Sequence, residues 1–273
     1  MGDNNFFSRL FNYIWFDLTH MNGDTLNLYF GFIRDKSQSV ILSQPDLSSE
    51  IFHWKRYCRQ FALENPGKDV FPRGTTTKKS ILVSLEKLKI QFDELLYCLD
   101  VGCGPTSQFY TNDILKRTDL KIITVDPLAE TYKSLNKKYY PDYDIECITG
   151  YGEKLSHLFP QDFFHLVYSQ NAIDHSQDPQ EFIINMYHVL KPGGFLVLHG
   201  FIKEGTAAHW FGLHKWDVEV DDNDLLLTNK KRTINRKNLT KELELKVIWK
   251  SVEGSEIGNK YTFVYKKNKA NVL

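Results

Sequence analysis

The chain has 273 residues, of which 42% are hydrophobic and 25% charged, so it can bury a core without disulfides or a structural metal. Its 34 basic residues balance its 34 acidic residues, so net charge gives no reason to expect a nucleic acid as partner. The four cysteines lack the spacing of a metal site or a disulfide framework, and no secretory signal or transmembrane segment is visible, so we expect a cytoplasmic protein.

Residues 1–90 are predicted to form a mainly helical extension or cap. Its clearest helix pattern is a set of aromatic residues at helical spacing: Phe52, Trp54, Tyr57 and Phe61. A second helix is predicted over 78–92. The aromatic stretch 6–18 is too short and too polar to cross a bilayer, and we interpret it as a segment that packs on its own domain or on a second subunit. Peripheral membrane contact is the alternative.

From residue 91 onwards, strands alternate with helices. Short apolar runs predict five strands: Leu95–Val101, Lys121–Val125, Asp144–Ile148, Phe164–Ser169 and Phe195–His199. Helices are predicted between them, over 107–117, 128–138, 153–159 and 179–190. Repeated β-α-β units of this length indicate a parallel sheet with helices on both faces.

The C-terminal part has a different pattern. Two strands, Leu243–Ser251 and Tyr261–Lys266, are joined by a polar turn, so the sheet should finish with an antiparallel pair. Residues 200–240 are too long for a simple connection and contain a predicted small hairpin of their own. We therefore expect residues 91–273 to form an α/β domain with a Rossmann-like, seven-stranded, mostly parallel sheet and an antiparallel C-terminal hairpin. The segment at about 200–240 would be an insertion on the substrate side.

A glycine-rich segment, Leu99-Asp100-Val101-Gly102-Cys103-Gly104, joins the first buried strand to the next predicted helix. Glycines let a ligand lie against the backbone at the carboxyl end of a strand, where open α/β sheets bind ligands. The negative charge of Asp100 disfavours binding of a pyrophosphate and suits a ligand with an ammonium and a sulfonium. Ser107 stands where a dinucleotide-binding motif has its third glycine, which also disfavours a dinucleotide-binding fold. Asp126 ends the next strand, where a carboxylate can accept both hydroxyls of a ribose or, alternatively, cap a turn.

Five segments in order resemble the class I S-adenosylmethionine-dependent methyltransferase superfamily, in the branch with the type 11 domain: Leu99–Gly104, Val125–Pro127, Gly150–Leu155, Ser169–His175 and Leu190–Gly194. The resemblance covers roughly residues 75–200. It implies that the cofactor is S-adenosylmethionine, with S-adenosylhomocysteine as its product. It also implies that Asp100 and the backbone of Gly102 and Gly104 hold the amino-acid part of the cofactor and that Asp126 binds its ribose.

The same resemblance assigns the adenine and methionine sides of the cofactor. Pro127 or Leu128 would cover the adenine, Gly152 and Glu153 would meet its edge, and Asn171 would line the methionine side. Tyr151 stands where the family usually has an acidic residue. The adenine amino group would therefore need another acceptor.

An alcohol acceptor benefits from a base that removes its proton, and histidine is the usual candidate. Three histidines lie near the ligand-binding edge of the predicted sheet: His175, His199 and His214. Each could instead have a structural role. His209, Trp210 and Trp216 belong to an irregular segment whose rings suit a sugar, or else pack the insertion down. Asp174 with His175, or His209 with His214 and Asp217, could contribute metal ligands. No metal is expected, however, because no helix with paired histidine ligands and no carboxylate cluster is visible.

A second resemblance concerns the acceptor. Four segments are similar to methyltransferases of bacterial surface-polysaccharide synthesis: Glu50–Trp54, Asp126–Ala129, Asn171–His175 and Leu213–Asp217. This implies O-methylation of a sugar or glycan-linked acceptor in the biosynthesis of capsule or lipopolysaccharide.

Other interpretations remain open at this stage. The enzyme could methylate another small molecule or a lipid precursor. Outside that class, it could be an NAD-dependent oxidoreductase or a non-catalytic subunit that binds S-adenosylmethionine. No nucleic acid partner is expected, and a homodimer through the N-terminal segment is a further alternative.

Overall fold

The computed structural model describes residues 47–64, 95–109, 120–139, 146–221, 224–231, 234–236, 242–255 and 258–268. The aromatic stretch 6–18, the predicted helix over 78–92 and most of that over 107–117 lie outside these residues.

A seven-stranded sheet forms the centre of the molecule. Its strands are β1 (Leu96–Val101), β2 (Leu120–Asp126), β3 (Cys147–Thr149), β4 (Phe164–Gln170), β5 (Leu190–Phe201), β9 (Leu245–Ser255) and β10 (Gly258–Lys267). They lie in the order β3-β2-β1-β4-β5-β10-β9. The first five of that order pair in parallel, and β10 is antiparallel to both of its neighbours. The predicted Rossmann-like sheet with its antiparallel C-terminal hairpin is confirmed.

The helices of the described residues are α1 (Ser48–Glu64), α2 (Ala129–Tyr139), α3 (Leu155–Leu158), α4 (Pro179–Val189) and α5 (Glu204–Ala207). α4 begins where predicted, because the Asp178 carboxylate accepts hydrogen bonds from the amides of Gln180 and Glu181 and Pro179 fits the first turn. The helix predicted over 153–159 is instead a 3₁₀ turn, Gly152–Lys154, followed by the single turn of α3. Within the described ranges, every helix is too short or too polar to cross a membrane.

Side chains alternate across the central sheet in the way a two-sided core requires. Leu99 and Val101 of β1 face the larger core, which also contains Phe182 and Met186 of α4. Leu96 and Cys98 face the opposite side, where they pack with Phe109. Both faces of β1 are therefore buried, which is why its sequence is a continuous apolar run.

A small second sheet follows β5. It consists of β6 (Trp216–Asp221), β7 (Asp224–Asn229) and β8 (Ile234–Arg236), all antiparallel. The predicted hairpin within 200–240 is confirmed, and β8 is an additional strand. Val218 of β6 and Leu225 and Leu227 of β7 enter the larger core, so this sheet packs on the main domain.

Candidate active site

A cavity of about 290 Å³ lies where β1, β2 and β4 end. Val101 pairs with both Val125 and Ser169, so the carboxyl ends of these three strands are level. The segments that follow the strands therefore meet at one edge of the sheet, which is where open α/β sheets bind ligands.

The glycine loop after β1 forms one wall of the cavity. Gly102 and Gly104 have φ angles of 70° and 65°, a backbone conformation that favours glycine. A Cβ on Gly102 would lie 2.4 Å from the Cβ of Ala172, so the loop packs directly against the segment after β4. Gly102 and Gly104 both line the cavity, and their contact with the cofactor stays a prediction.

Asp126 lies beside the loop and also lines the cavity. Its Oδ2 accepts a hydrogen bond from the Gly104 amide at 3.0 Å, and its Oδ1 accepts one from the Leu128 amide at 2.9 Å. A carboxylate can accept about four hydrogen bonds, so these two bonds are compatible with ribose binding. The turn-capping role is therefore observed, and ribose binding by the same carboxylate stays a prediction.

Asp100 is almost completely buried, and the described residues that line the cavity do not include it. Its Oδ2 accepts hydrogen bonds from the Ser107 hydroxyl at 2.6 Å and from the Gln108 amide at 3.3 Å. Asp100 therefore holds the chain that follows the glycine loop. Its direct contact with the cofactor stays a prediction.

The segment after β3 also lines the cavity, with Tyr151, Gly152 and Glu153, and so does Pro127. Glu153 Oε1 accepts a hydrogen bond from the Gln177 amide at 2.7 Å, which ties this segment to the start of α4. The Tyr151 hydroxyl is buried and has no hydrogen-bond partner among the described residues. Burial, and to a smaller extent the charges of Glu153 and Asp126, raise the pKa of Tyr151, so its phenol stays neutral.

Asn171 follows β4 in a left-handed conformation, with φ of 52°. Its Oδ1 accepts a hydrogen bond from the Phe201 amide at 3.3 Å, and its Nδ2 donates to Glu204 Oε1 at 3.1 Å. Both Asn171 and Glu204 line the cavity. The predicted methionine-side residue therefore links the end of β4 to the start of α5.

Two of the predicted catalytic histidines, His175 and His214, meet at the cavity. His214 Nδ1 lies 2.7 Å from Asp174 Oδ2 and 3.0 Å from His175 Nε2. Burial lowers the pKa of His214, but its hydrogen bond to Asp174 and the charges of Asp174, Glu204 and Glu50 outweigh that effect, so the pKa is raised.

The insertion brings His214 to His175 through two hydrogen bonds to the segment after β4. The Lys215 amide donates to the Asp174 carbonyl at 2.9 Å, and the Trp216 Nε1 donates to the Ser176 carbonyl at 2.9 Å. Trp216, predicted to bind substrate, is buried outside the cavity lining and anchors the insertion.

His199, the third predicted base, lies behind the cavity wall and is not among the described residues that line it. It is buried, and its Nδ1 is 2.8 Å from the Thr262 hydroxyl. Burial and the charge of Lys260 lower the pKa of His199 to about 4, although a backbone hydrogen bond with Tyr261 acts in the opposite direction. His199 is therefore uncharged at neutral pH.

His209 and Trp210, also predicted to bind substrate, form the turn between α5 and β6. Both have positive φ angles, and neither is among the described lining residues. The Trp210 ring covers Gly205, where a Cβ would lie 2.8 Å from the ring. Their part in substrate binding stays a prediction.

Glu50 and Glu204 are not candidate site residues from sequence, and Asp174 is one only as a possible metal ligand beside His175. Asp174 has one available signal, its position directly before His175. Glu50 comes from α1 and Glu204 from α5, and both line the cavity beside the histidines. No sequence spacing connects these two residues.

Residues 99–198 match the family described as a methyltransferase domain. The chain is 30% identical over 118 residues to a tRNA U34 carboxymethyltransferase of Pseudoalteromonas atlantica, across 42% of this chain and 35% of that protein. It is 25% identical over 154 residues to a sterol 24-C-methyltransferase of Candida albicans, across 55% of this chain and 37% of that protein. The matched region thus spans little more than a third of the length of either relative.

Two solved structures have similar folds. A putative sarcosine dimethylglycine methyltransferase from Galdieria sulphuraria has a TM-score of 0.48 and 13% identity, across 71% of this chain and 86% of that chain. The 1,6-didemethyltoxoflavin-N1-methyltransferase of Burkholderia thailandensis has a TM-score of 0.47 and 13% identity, across 84% of this chain and 92% of that chain.

Proposed function

We propose, from the premise that residues 99–198 form a class I methyltransferase domain with S-adenosylmethionine as its cofactor, that this chain O-methylates a sugar or a glycan-linked acceptor. The proposal includes a role in surface-polysaccharide biosynthesis.

The cofactor fits the wall built by the glycine loop, Asp126 and Tyr151. The loop provides backbone hydrogen-bonding groups, and Asp126 provides carboxylate oxygens. The Tyr151 hydroxyl is buried, and an atom of the ligand could form a hydrogen bond with it. These are the groups that an amino acid, a ribose and an adenine require. The Tyr151 hydroxyl takes the place of the family's usual acidic residue.

When it is bound, S-adenosylmethionine supplies a methyl group already activated by a sulfonium. The residues of this chain then have to bind the cofactor and the acceptor, orient them, and remove a proton from the acceptor. Asp126 would hold the ribose, Gly102 and Gly104 the amino-acid part, and Asn171 the methionine side. Pro127, Gly152 and Glu153 would enclose the adenine, as expected from the resemblance.

One observation carries the choice of acceptor. All four segments that resemble polysaccharide methyltransferases, far apart in the chain, contribute to the same cavity, through Glu50, Asp126, His175 and His214 among others. Glu50, His175, His214 and Glu204 give the cavity a polar wall, and Leu47 and Leu128 contribute apolar lining. Such a wall suits an acceptor rich in hydroxyl groups. His175 and His214 lie where they could accept its proton.

The cofactor is tested first, by calorimetric titration with S-adenosylmethionine and S-adenosylhomocysteine. We expect micromolar binding by the wild type, at least about tenfold weaker binding by Asp126→Ala, and unchanged binding by Asp221→Ala, which removes an exposed carboxylate on β6. Circular dichroism of each variant separates lost binding from lost folding. A folded wild-type chain that binds neither compound would contradict the proposal.

The acceptor is tested next, by following S-adenosylhomocysteine formation with free sugars, nucleotide-linked sugars and oligosaccharides. Turnover with a hydroxylated sugar, and a methyl ether as product, is the expected result. Turnover only with amines, sterols or lipids would support the methyltransferase activity but contradict the proposed acceptor.

A further inference from the structure

We propose that Asp174, His175 and His214 form a binding site for a divalent transition-metal ion at the acceptor side of the cavity. The three ligand atoms are Asp174 Oδ2, His175 Nε2 and His214 Nδ1. This site is not expected from sequence, because the two histidines are 39 positions apart and no short motif connects them.

The geometry of the three atoms matches one face of an octahedron. Their separations are 2.7 Å between Asp174 and His214, 3.0 Å between His214 and His175, and 3.3 Å between His175 and Asp174. Ligands on one octahedral face lie about 3.0 Å apart when the metal–ligand bonds are about 2.1 Å long. Two histidines and one carboxylate in this facial arrangement leave further coordination positions open.

Hydrogen bonds alone do not explain why these three atoms lie so close together. His214 Nδ1 lies within hydrogen-bond distance of both the Asp174 carboxylate and His175 Nε2. A ring nitrogen has a single direction, in the ring plane, in which it donates a proton or accepts one. It therefore cannot form two well-directed hydrogen bonds, whereas one ion can satisfy all three atoms.

The surrounding charges also suit a cation. Glu50 Oε1 lies 3.7 Å from His175 Nδ1, the ring nitrogen that would not bind the ion. In many metal sites a carboxylate lies beside the outer nitrogen of a metal-bound histidine, where it orients the ring. Glu204 Oε1 lies 4.0 Å from His214 Nδ1 and adds a further negative charge.

The donor set selects the class of ion. Imidazole nitrogens suit Zn²⁺, Fe²⁺, Mn²⁺ or Co²⁺, whereas Mg²⁺ and Ca²⁺ prefer oxygen ligands. Since both histidines line the cavity, the open positions face the space assigned to the acceptor. Resting on the proposed function, the inference is that the ion binds an acceptor hydroxyl and lowers its pKa. With both histidines bound to the ion, the hydroxyl proton would pass to the Glu204 carboxylate, which lines the same cavity.

The experiment uses the full chain, treated with a chelator and dialysed, then titrated with Zn²⁺ by calorimetry and with Co²⁺ by visible absorption. We expect one Zn²⁺ per chain. Asp174→Asn and His214→Gln should weaken binding by more than about 100-fold, and Glu50→Gln by about 10- to 100-fold. The matched control is His188→Gln, which removes an exposed histidine on α4.

Circular dichroism establishes that each variant is folded, and the two ligand variants provide independent tests. Absence of saturable Zn²⁺ binding by the wild type would overturn the metal site. The same holds if both ligand variants bind Zn²⁺ as tightly as His188→Gln. Titration of the same samples with S-adenosylmethionine distinguishes the two proposals. Cofactor binding without Zn²⁺ binding would contradict only the metal site. Zn²⁺ binding without cofactor binding would contradict only the methyltransferase activity.

Discussion

The Tyr151 hydroxyl is a buried polar atom in the cavity wall, without a hydrogen-bond partner among the described residues. Tyr151→Phe removes only this oxygen. We expect the free energy of unfolding to change by less than about 0.5 kcal/mol, because no hydrogen bond of the described residues is lost. The affinity for S-adenosylmethionine should fall by about 2- to 10-fold, the effect of one hydrogen bond. Urea denaturation and calorimetry measure the two quantities.

Tyr168→Phe is the matched control for that substitution. The Tyr168 hydroxyl donates a hydrogen bond to Gln170 Oε1 at 2.6 Å, so its loss should cost stability of about 1 kcal/mol. Because Tyr168 is not among the described lining residues, its removal should leave cofactor affinity unchanged. Equal affinity of Tyr151→Phe and wild type would show that the Tyr151 hydroxyl does not meet the cofactor.

His199 makes the stability of the protein sensitive to acid. Its pKa falls from 6.5 to about 4 on folding, chiefly because it is buried, so the unfolded chain binds a proton more readily than the folded one. The stabilisation is complete above pH 6.5 and is lost as the pH falls towards 4. The loss amounts to about 3 kcal/mol at most. Urea denaturation between these two pH values measures it.

His199→Gln should remove this part of the pH dependence while an amide remains to contact Thr262. The comparison with wild type cancels the contributions of all other titrating groups. The same slope in both proteins would place the acid sensitivity elsewhere. A flatter slope in the variant would assign it to the neutral, buried His199.

At the scale of elements, the loop after β1 and the segment after β4 are in contact at Gly102 and Ala172. Gly102→Ala would place its Cβ 2.4 Å from the Ala172 Cβ and force alanine to a φ of 70°. We expect a destabilisation of about 2–3 kcal/mol together with weaker cofactor binding, because the loop has to shift. Chemical denaturation and calorimetry of the same samples test both effects.

The double variant Gly102→Ala/Ala172→Gly separates the two causes. It removes the steric clash and leaves the strained backbone, which costs about 1–2 kcal/mol. Recovery of part of the stability, relative to Gly102→Ala, is the expected result. If Ala172→Gly gives no recovery, the contact between the two segments is not what limits the loop.

Elements buried on both faces were predictable from sequence. The continuous apolar runs of β1 and β4 and the repeated β-α-β spacing suffice to place them in a parallel sheet. The three-residue strand β8 was missed, because so short a segment carries no periodic pattern. β5 also begins earlier than predicted: Phe164 pairs with Leu190 and Leu166 with Phe195, so the Lys-Pro-Gly-Gly turn bulges from the strand.

The two sides of the site also differed in how far they could be predicted from sequence. The position of Gly102 and Asp126 at one edge of the sheet was predictable because Gly102 directly follows β1 and Asp126 ends β2. The acceptor side depends on how the insertion docks, through the Lys215 amide and the Trp216 side chain. Those long-range contacts have no local signal, so the proximity of Asp174 and His214 was not predictable.

At the scale of the whole molecule, the sheet has two ends with different roles. The carboxyl ends of β1, β2 and β4 carry the cavity. At the opposite end, Lys267 of β10 is buried and donates hydrogen bonds to Asp162 Oδ1 at 2.7 Å, the Leu190 carbonyl at 2.8 Å and the Tyr187 carbonyl at 3.0 Å. Lys267 therefore connects the last strand to the end of α4 and the start of β5.

Lys267→Met should accordingly reduce stability without affecting the cavity. Methionine keeps the length of the side chain but leaves the Asp162 carboxylate and two carbonyls without this donor, which should cost about 3 kcal/mol. The affinity for S-adenosylmethionine should be unchanged below the unfolding transition, in contrast to Gly102→Ala, which lowers both quantities. Thermal denaturation with and without cofactor, together with calorimetry, makes the comparison. A loss of affinity in Lys267→Met would mean that the two ends of the sheet are coupled, and that the amino ends of the strands contribute to the geometry of the site.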